Sequence, residues 1–84
     1  MTRDEIVDEF GEDLLFLDEP HFDEAIIGVA HQFSNALVCY DQKKIIEILM
    51  TVDEMSEEDA TEYFYYNIVG AWVGEKTPVF LEVL

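Results

Sequence analysis

Residues 25–52 read AIIGVAHQFSNALVCYDQKKIIEILMTV, and this stretch decides the fold. Its first part contains two runs, residues 25–33 and residues 36–40, that are rich in the β-branched and aromatic residues typical of strands. Ser34 and Asn35 separate the two runs and suit a tight turn. The pattern therefore predicts a β-hairpin. The first run also allows a helix, because its apolar residues do not alternate cleanly with polar ones.

The second part of the stretch predicts a helix over residues 41–52. Asp41 is a favourable N-cap residue, and isoleucine, leucine and valine at helical spacing form a broad apolar face. A short connector follows. Ser56 predicts the start of a second helix, with Asp59 at the capping-box position, and this helix runs to about Val69. The two helices are therefore expected to form a pair.

The flanking segments predict shorter elements. Residues 4–10 predict an amphipathic helix that ends at Gly11. The apolar run at residues 14–17 favours a buried strand, and residues 18–21 favour a turn because they contain a proline. Residues 77–83 predict a last strand at a sheet edge. The elements together predict an α+β fold: a small sheet of about three to four strands, a helical pair packed on one face, and a short N-terminal helix.

The charge of the chain is strongly unbalanced. Twenty of the 84 residues are Asp or Glu and only four are Lys or Arg, so the formal net charge is −16. Half of the residues are hydrophobic, which is too many for a disordered acidic tail. A compact domain with this charge repels itself and loses stability. The imbalance predicts a partner with a basic surface. It argues against direct binding to nucleic acid or to a membrane surface, since both are polyanions.

Length and residue usage predict a single cytoplasmic domain over residues 1–84. Cys39 is the only cysteine, so an intrachain disulfide is excluded. Residues 1–12 are charged throughout and lack the apolar segment of a signal peptide. The longest apolar stretches are far shorter than a membrane span.

Four motifs within residues 22–80 resemble those of a group of small uncharacterised phage and prophage proteins. The motifs read FDEAIIGVA, YDQKKIIEILM, DEMSEEDATEYFYYN and GAWVGEKTPVF. The pattern of the group runs FDxAIIGV, YDxxKxIEILM, DGMSxEEAxEFxxxN and GAWVGxxTPxF. The resemblance implies a mobile-element origin and a compact α+β domain over residues 22–80, the family-like core. Glu54 departs from the pattern, which has Gly there. Residues 1–21, the acidic N-terminal segment, lie outside the resemblance.

The carboxylates fall into two blocks along the chain. The N-terminal acidic block consists of Asp4, Glu5, Asp8, Glu9, Glu12, Asp13, Asp18, Glu19, Asp23 and Glu24. The connector acidic block consists of Asp53, Glu54, Glu57, Glu58, Asp59 and Glu62. Carboxylates four residues apart lie on one helix face with Cβ atoms about 5–6 Å apart. This separation is comparable to that of neighbouring phosphates, so the blocks could occupy a groove that holds DNA or RNA. Alternatively, they complement helix dipoles and aid solubility.

An aromatic run follows the second block. Tyr63, Phe64, Tyr65 and Tyr66 are consecutive, and Trp72 is close in sequence. Four consecutive aromatic side chains cannot all face one core from a helix, so one or two are expected to be exposed. Tyr65 and Tyr66 are therefore candidate partner-binding residues, because tyrosine is enriched at interface hot spots. The alternative is that the aromatic residues cover the sheet.

Catalytic and metal chemistry have weak sequence support. His21, Asp23, Glu24 and His31 could bind a metal, but their spacing matches no compact ligand motif. Cys39 lies between apolar residues of a predicted strand and is expected to be an inert core residue. We therefore predict no enzyme activity, no metal and no cofactor.

Two functions remain from these observations. The first is a phage-encoded inhibitor of a host nucleic-acid-binding defence system, an anti-CRISPR or anti-restriction protein that occludes a basic site as an acidic DNA or RNA mimic. The second is an interaction module that binds through its aromatic residues, such as a host-takeover or toxin-neutralising factor.

Overall fold

The structure, a computed structural model, describes residues 2–71 and 74–83. Its elements in chain order are α1 (Arg3–Phe10), a 3₁₀ helix (Pro20–Ala25), β1 (Ile26–Gln32), β2 (Asn35–Asp41), α2 (Gln42–Thr51), α3 (Glu57–Tyr63), a π-helix (Phe64–Val69) and β3 (Val79–Leu81). This arrangement confirms the predicted α+β fold, with three strands in the part of the chain that the structure describes. Trp72 lies outside the described residues.

The sheet has the order β1-β2-β3. β1 and β2 form the predicted antiparallel hairpin, while β3 pairs in parallel with β2 at the far edge. The edge position of the last strand was predicted, but β3 is shorter than the predicted residues 77–83. Cross-strand partners share a face, so Val29 and Val38 point to one side and Ala30 and Leu37 to the other.

The hairpin turn lies one residue earlier than the sequence predicted. Gln32 pairs with Asn35, so the turn consists of Phe33 and Ser34 rather than Ser34 and Asn35. The predicted turn would have placed the polar His31 opposite Val38, which is fully buried. The observed register places Val29 opposite Val38 instead. Burial of an apolar pair therefore overrides the turn preference of asparagine.

The helical pair forms as predicted. The Asp41 carboxylate caps α2 by accepting hydrogen bonds from the backbone N–H groups of Lys43 and Lys44. The Ser56 hydroxyl caps α3 by accepting from the N–H of Asp59. The second helix continues to Val69, but its last part is π-helical, which the sequence did not predict.

One hydrophobic core joins the helices to one face of the sheet. Its largest fully buried side chains are those of Tyr40, Phe64, Ile6, Ile45, Leu49 and Val38. The Phe80 ring of β3 stacks on Tyr40 at 5.9 Å and meets Phe64 edge-on at 5.2 Å. The core also contains Ile45 of α2 and Ala60 of α3, so the helical pair packs on the sheet as predicted, and Ile6 adds α1 to the same core.

The strand predicted at residues 14–17 is wrong. This segment is irregular, and only Leu14 in it is buried. The backbone N–H of Leu17 donates to the Tyr40 hydroxyl at 2.9 Å, and its carbonyl accepts from Arg3 at 3.1 Å. Side chains thus satisfy backbone groups that would otherwise need a neighbouring strand.

Candidate functional site

The first part of the N-terminal acidic block is displayed by α1. The Thr2 hydroxyl accepts from the N–H of Glu5, and the Glu5 carboxylate accepts from the N–H of Thr2, which completes a capping box. Two hydrogen bonds from Thr2 lower the pKa of the Glu5 carboxylate. The bond from the Thr2 backbone N–H has the larger effect and the bond from its hydroxyl the smaller. Ile6 is fully buried, and this orientation leaves Asp4, Glu5, Asp8 and Glu9 exposed.

The block continues through the loop after α1. Gly11 ends the helix with a φ of 92°, a conformation that favours glycine. The loop is held to the core by Leu14 and Leu17. Its four acidic residues are all exposed: Glu12, Asp13, Asp18 and Glu19.

Asp23 differs from the rest of the N-terminal acidic block. It is half-buried, and its carboxylate accepts a hydrogen bond from the Arg3 guanidinium at 2.9 Å. Arg3 also lies 4.6 Å above the ring of Phe16. Asp23 therefore has an internal partner and contributes less free charge than its neighbour Glu24, which is exposed.

The connector acidic block surrounds the start of α3. Ala60 is fully buried and orients the helix so that its acidic residues face outward. The exposed members are Asp53, Glu54, Glu57, Glu58, Asp59 and Glu62. Glu54 has a φ of 57°, in the left-handed region. Glycine, the residue expected here from the sequence resemblance, adopts such a φ at no steric cost.

The two acidic blocks meet at His21. Its Nε2 atom lies 3.3 Å from Oε2 of Glu19 and 3.9 Å from Oδ2 of Asp53. The His21 ring packs against Phe22 at 4.5 Å. The sequence groups His21 with Asp23 and Glu24, whereas the structure places its Nε2 atom within 4 Å of one carboxylate from each block. No sequence signal predicted this contact, because it joins residues 32 positions apart, from 21 to 53.

The aromatic run divides between core and surface, but three of its four side chains, those of Tyr63, Tyr65 and Tyr66, are exposed rather than the expected one or two. Phe64 is fully buried, while Tyr66 is 78% exposed and Tyr65 is 48% exposed. The Tyr65 hydroxyl accepts a hydrogen bond from the amide of Gln42 at 2.9 Å. Tyr66 lies beside Glu62 in a shallow depression, so the connector acidic block and the aromatic surface are continuous. Tyr65 and Tyr66 belong to the π-helix, a form that is frequent at functional sites.

The residues considered for chemistry do not assemble. The two histidines have different neighbours: the ring of His31 lies against Phe10 at 6.2 Å, and that of His21 lies against Phe22. Within residues 2–71 and 74–83, no group of three or more His, Cys, Asp or Glu residues could hold a metal ion. Cys39 is half-buried rather than a core residue. Burial raises the pKa of the Cys39 thiol, and the Asp41 carboxylate raises it further by a smaller amount. The higher pKa disfavours the nucleophilic thiolate.

Two surface features complete the site. No polar or charged residue among those described is buried, and every carboxylate of the two acidic blocks except that of Asp23 is exposed. Phe33, at the hairpin tip, is 98% exposed, and sequence reasoning missed it as a surface residue.

No helix in the described part of the chain has the length and apolarity that a membrane span requires.

Comparison with known proteins returned no relative. The chain matches no protein-family model, no curated protein and no solved structure at a significant level of similarity.

Proposed function

We propose that this protein is a phage-encoded inhibitor that occupies the basic nucleic-acid site of a host defence enzyme in the host cytoplasm. It would act as an anti-CRISPR or anti-restriction protein through shape and charge alone, without catalysis or a cofactor. The observation that carries the proposal is the junction at His21. There Glu19 and Asp53 bring the two acidic blocks into one surface.

Charge density supports this reading. The Cα atoms extend 37 Å along the longest axis, and dividing this length by the 16 net charges gives one negative charge per about 2.3 Å. Duplex DNA carries one negative charge per about 1.7 Å of its axis. The two densities are similar enough for the protein to compete with a duplex for a basic groove.

The carboxylates are also largely free of internal cations. In the described residues, Lys or Arg forms ion pairs with Asp23 and with Glu47, and Glu47 lies outside both acidic blocks. A binding partner would therefore supply the missing positive charge. Association of this kind is fast at low salt because long-range electrostatic attraction steers the encounter, and it weakens as salt rises because ions screen that attraction.

The first experiment is affinity capture from a bacterial host lysate, with elution by duplex DNA and then by salt. A nucleic-acid enzyme released by DNA is the expected result, because partner and DNA would compete for one site. The captured enzyme is then titrated with the protein in a nuclease assay. Inhibition should weaken as the salt concentration is raised.

Matched charge variants make this test specific. Asp8→Asn, Glu9→Gln and Glu12→Gln together remove three charges from the N-terminal acidic block. Glu47→Gln, Glu75→Gln and Glu82→Gln remove three exposed charges outside both blocks. Inhibition should fall at least about tenfold more for the first set, and its salt dependence should become shallower. Equal effects would show that only net charge matters and would contradict a shaped mimic.

A second function has its own supporting observation, the 78% exposure of Tyr66 beside Glu62. An exposed tyrosine flanked by a carboxylate suits an arginine on a protein partner through cation–π and ion-pair contacts. In this case the protein would be an interaction module rather than a mimic. Tyr66→Ala would abolish binding, whereas the three-charge variants would bind normally and DNA would not displace the partner.

A further inference from the structure

Phe33 occupies the tip of the β1–β2 hairpin in an unusual state. Its side chain is 98% exposed, and its backbone has a φ of 56°. A left-handed conformation brings Cβ too close to the following carbonyl oxygen, so bulky residues rarely adopt it. Two-residue hairpin turns normally place Gly, Asn or Asp at such positions. Asn35 is close in sequence, yet it lies in β2 and Phe33 takes the strained position.

Exposure by itself would not distinguish Phe33, since single apolar side chains are common on protein surfaces. Exposure combined with backbone strain does distinguish Phe33, because neither feature stabilises the isolated protein. Outliers of this kind cluster at functional sites. The tip is also uncharged: Gln32 and Ser34 flank Phe33, and residues 25–40 contain no Asp, Glu, Lys or Arg.

The hairpin tip lies next to the end of the N-terminal helix. The ring of His31 contacts that of Phe10, the last residue of α1, at 6.2 Å. Glu9 precedes Phe10 and Glu12 follows it two residues later, and both carboxylates are exposed. Phe33 therefore lies two residues along the chain from a side chain that contacts the end of α1, where Glu9 and Glu12 add negative charge to the surface.

We propose that Phe33 is an apolar anchor that inserts into a hydrophobic pocket on the protein partner, with Lys or Arg residues of the pocket rim facing the end of α1. This inference rests on the proposed function, since it assigns the anchor to the same basic partner. Aromatic anchors in desolvated pockets dominate many interfaces. The carboxylates would govern the association rate and its salt dependence, and Phe33 would govern the dissociation rate.

Site-specific crosslinking tests the inference in the full-length chain. Phe33→p-benzoylphenylalanine and Glu9→p-benzoylphenylalanine proteins are irradiated separately in host lysate, and the crosslinked peptides are sequenced. We expect both probes to label one protein. The Phe33 probe should label an apolar segment with Lys or Arg within a few residues. Excess wild-type protein should suppress this labelling at least about tenfold better than Phe33→Ala, a truncation that removes the anchor.

Other results would overturn the anchor. Crosslinking to a second copy of this chain, the absence of crosslinking from position 33, or equal suppression by Phe33→Ala would each do so. If the Glu9 probe labels a partner that duplex DNA displaces while the Phe33 probe labels nothing, the mimic stands and the anchor fails. If Phe33 is needed but DNA does not compete, the anchor stands and the mimic fails.

A stability measurement tests the strain without a partner. Phe33→Asn places a residue that tolerates positive φ at the turn. Its thermal midpoint should rise by about 2 °C or more relative to wild type, with Phe33→Ala as the reference for loss of the exposed ring. A lower midpoint for Phe33→Asn than for wild type would show that the turn is not strained and would remove the main support for the anchor.

Discussion

The Nη2 atom of Arg3 lies 2.9 Å from Oδ1 of Asp23 and 3.1 Å from the carbonyl oxygen of Leu17. The same guanidinium covers the ring of Phe16 at 4.6 Å. Arg3 is the only arginine in the chain. It therefore connects α1 to the loop and to the 3₁₀ helix that carry the rest of the N-terminal acidic block.

We expect Arg3→Ala to lower the free energy of unfolding by about 1–2 kcal/mol, because an ion pair, a hydrogen bond and a cation–π contact are lost together. Urea denaturation at neutral pH measures the change. Lys44→Ala is the matched control: its pair with Glu47 is 3.8 Å long and more exposed, so its loss should change stability by less than about 0.5 kcal/mol. Equal losses in the two variants would show that Arg3 has no connecting role.

The protonated hydroxyl of Tyr40 should add to the free energy of unfolding at neutral pH, and this contribution should disappear at high pH. Its ring is fully buried, and burial raises the pKa of its hydroxyl above the ordinary tyrosine value. The folded state therefore keeps the proton at a pH where the unfolded state releases it. This contribution is complete below about pH 10 and is lost as pH rises through the higher folded pKa.

Tyr40→Phe isolates this contribution. The variant should lose about 1–2 kcal/mol at neutral pH, since the N–H of Leu17 is left without the hydroxyl. Its stability should also decline less steeply than that of wild type above about pH 10. Urea denaturation across the alkaline range measures both effects, with Tyr66→Phe as the exposed control. Parallel pH curves for wild type and Tyr40→Phe would contradict the expectation.

Glu54→Gly should stabilise the protein. A non-glycine residue in the left-handed region is strained by about 1–2 kcal/mol, and the extra flexibility of glycine in the unfolded chain offsets part of the gain. We expect a net increase of about 0.5–1 kcal/mol in the free energy of unfolding. Glu54→Ala removes the same charge but retains Cβ, so it separates strain from repulsion. A Glu54→Ala variant as stable as Glu54→Gly would show that charge alone matters.

Added salt should raise the thermal midpoint, because it screens repulsion among carboxylates that lack nearby cations. Relief of about 1 kcal/mol corresponds to about 4–8 °C for a domain of this size. Differential scanning calorimetry between low and high NaCl measures the shift. The three-charge variant of the N-terminal acidic block should respond less than wild type. A midpoint that does not change with salt would exclude a concentrated charge field.

The local elements of the fold could be predicted because short-range chemistry determines them. Asp41 and Ser56 cap their helices with their own side chains, and the strand-forming residues of β1 and β2 are adjacent along the chain. The exposure of the carboxylates follows from the cost of burying charge. These features depend on neighbours within a few residues, which the sequence displays directly.

Other features depended on contacts between distant segments. The segment at residues 14–17 is apolar enough for a strand, yet Arg3 and Tyr40 take its backbone hydrogen bonds. The hairpin register followed burial of Val29 against Val38 rather than the preference of Asn35 for turns. The sequence groups His21 with Asp23 and Glu24, and packing also brings it near Asp53, 32 residues away.

The sequence by itself determined the fold class, the capped helices and the density of negative charge. The tertiary structure alone decided that the two acidic blocks meet and that Asp23 forms an ion pair with Arg3. It also decided that Phe33 rather than asparagine occupies the hairpin tip. The physical reason is that helix caps and charge counts are local properties, whereas the relative placement of segments is set by which apolar side chains share one core.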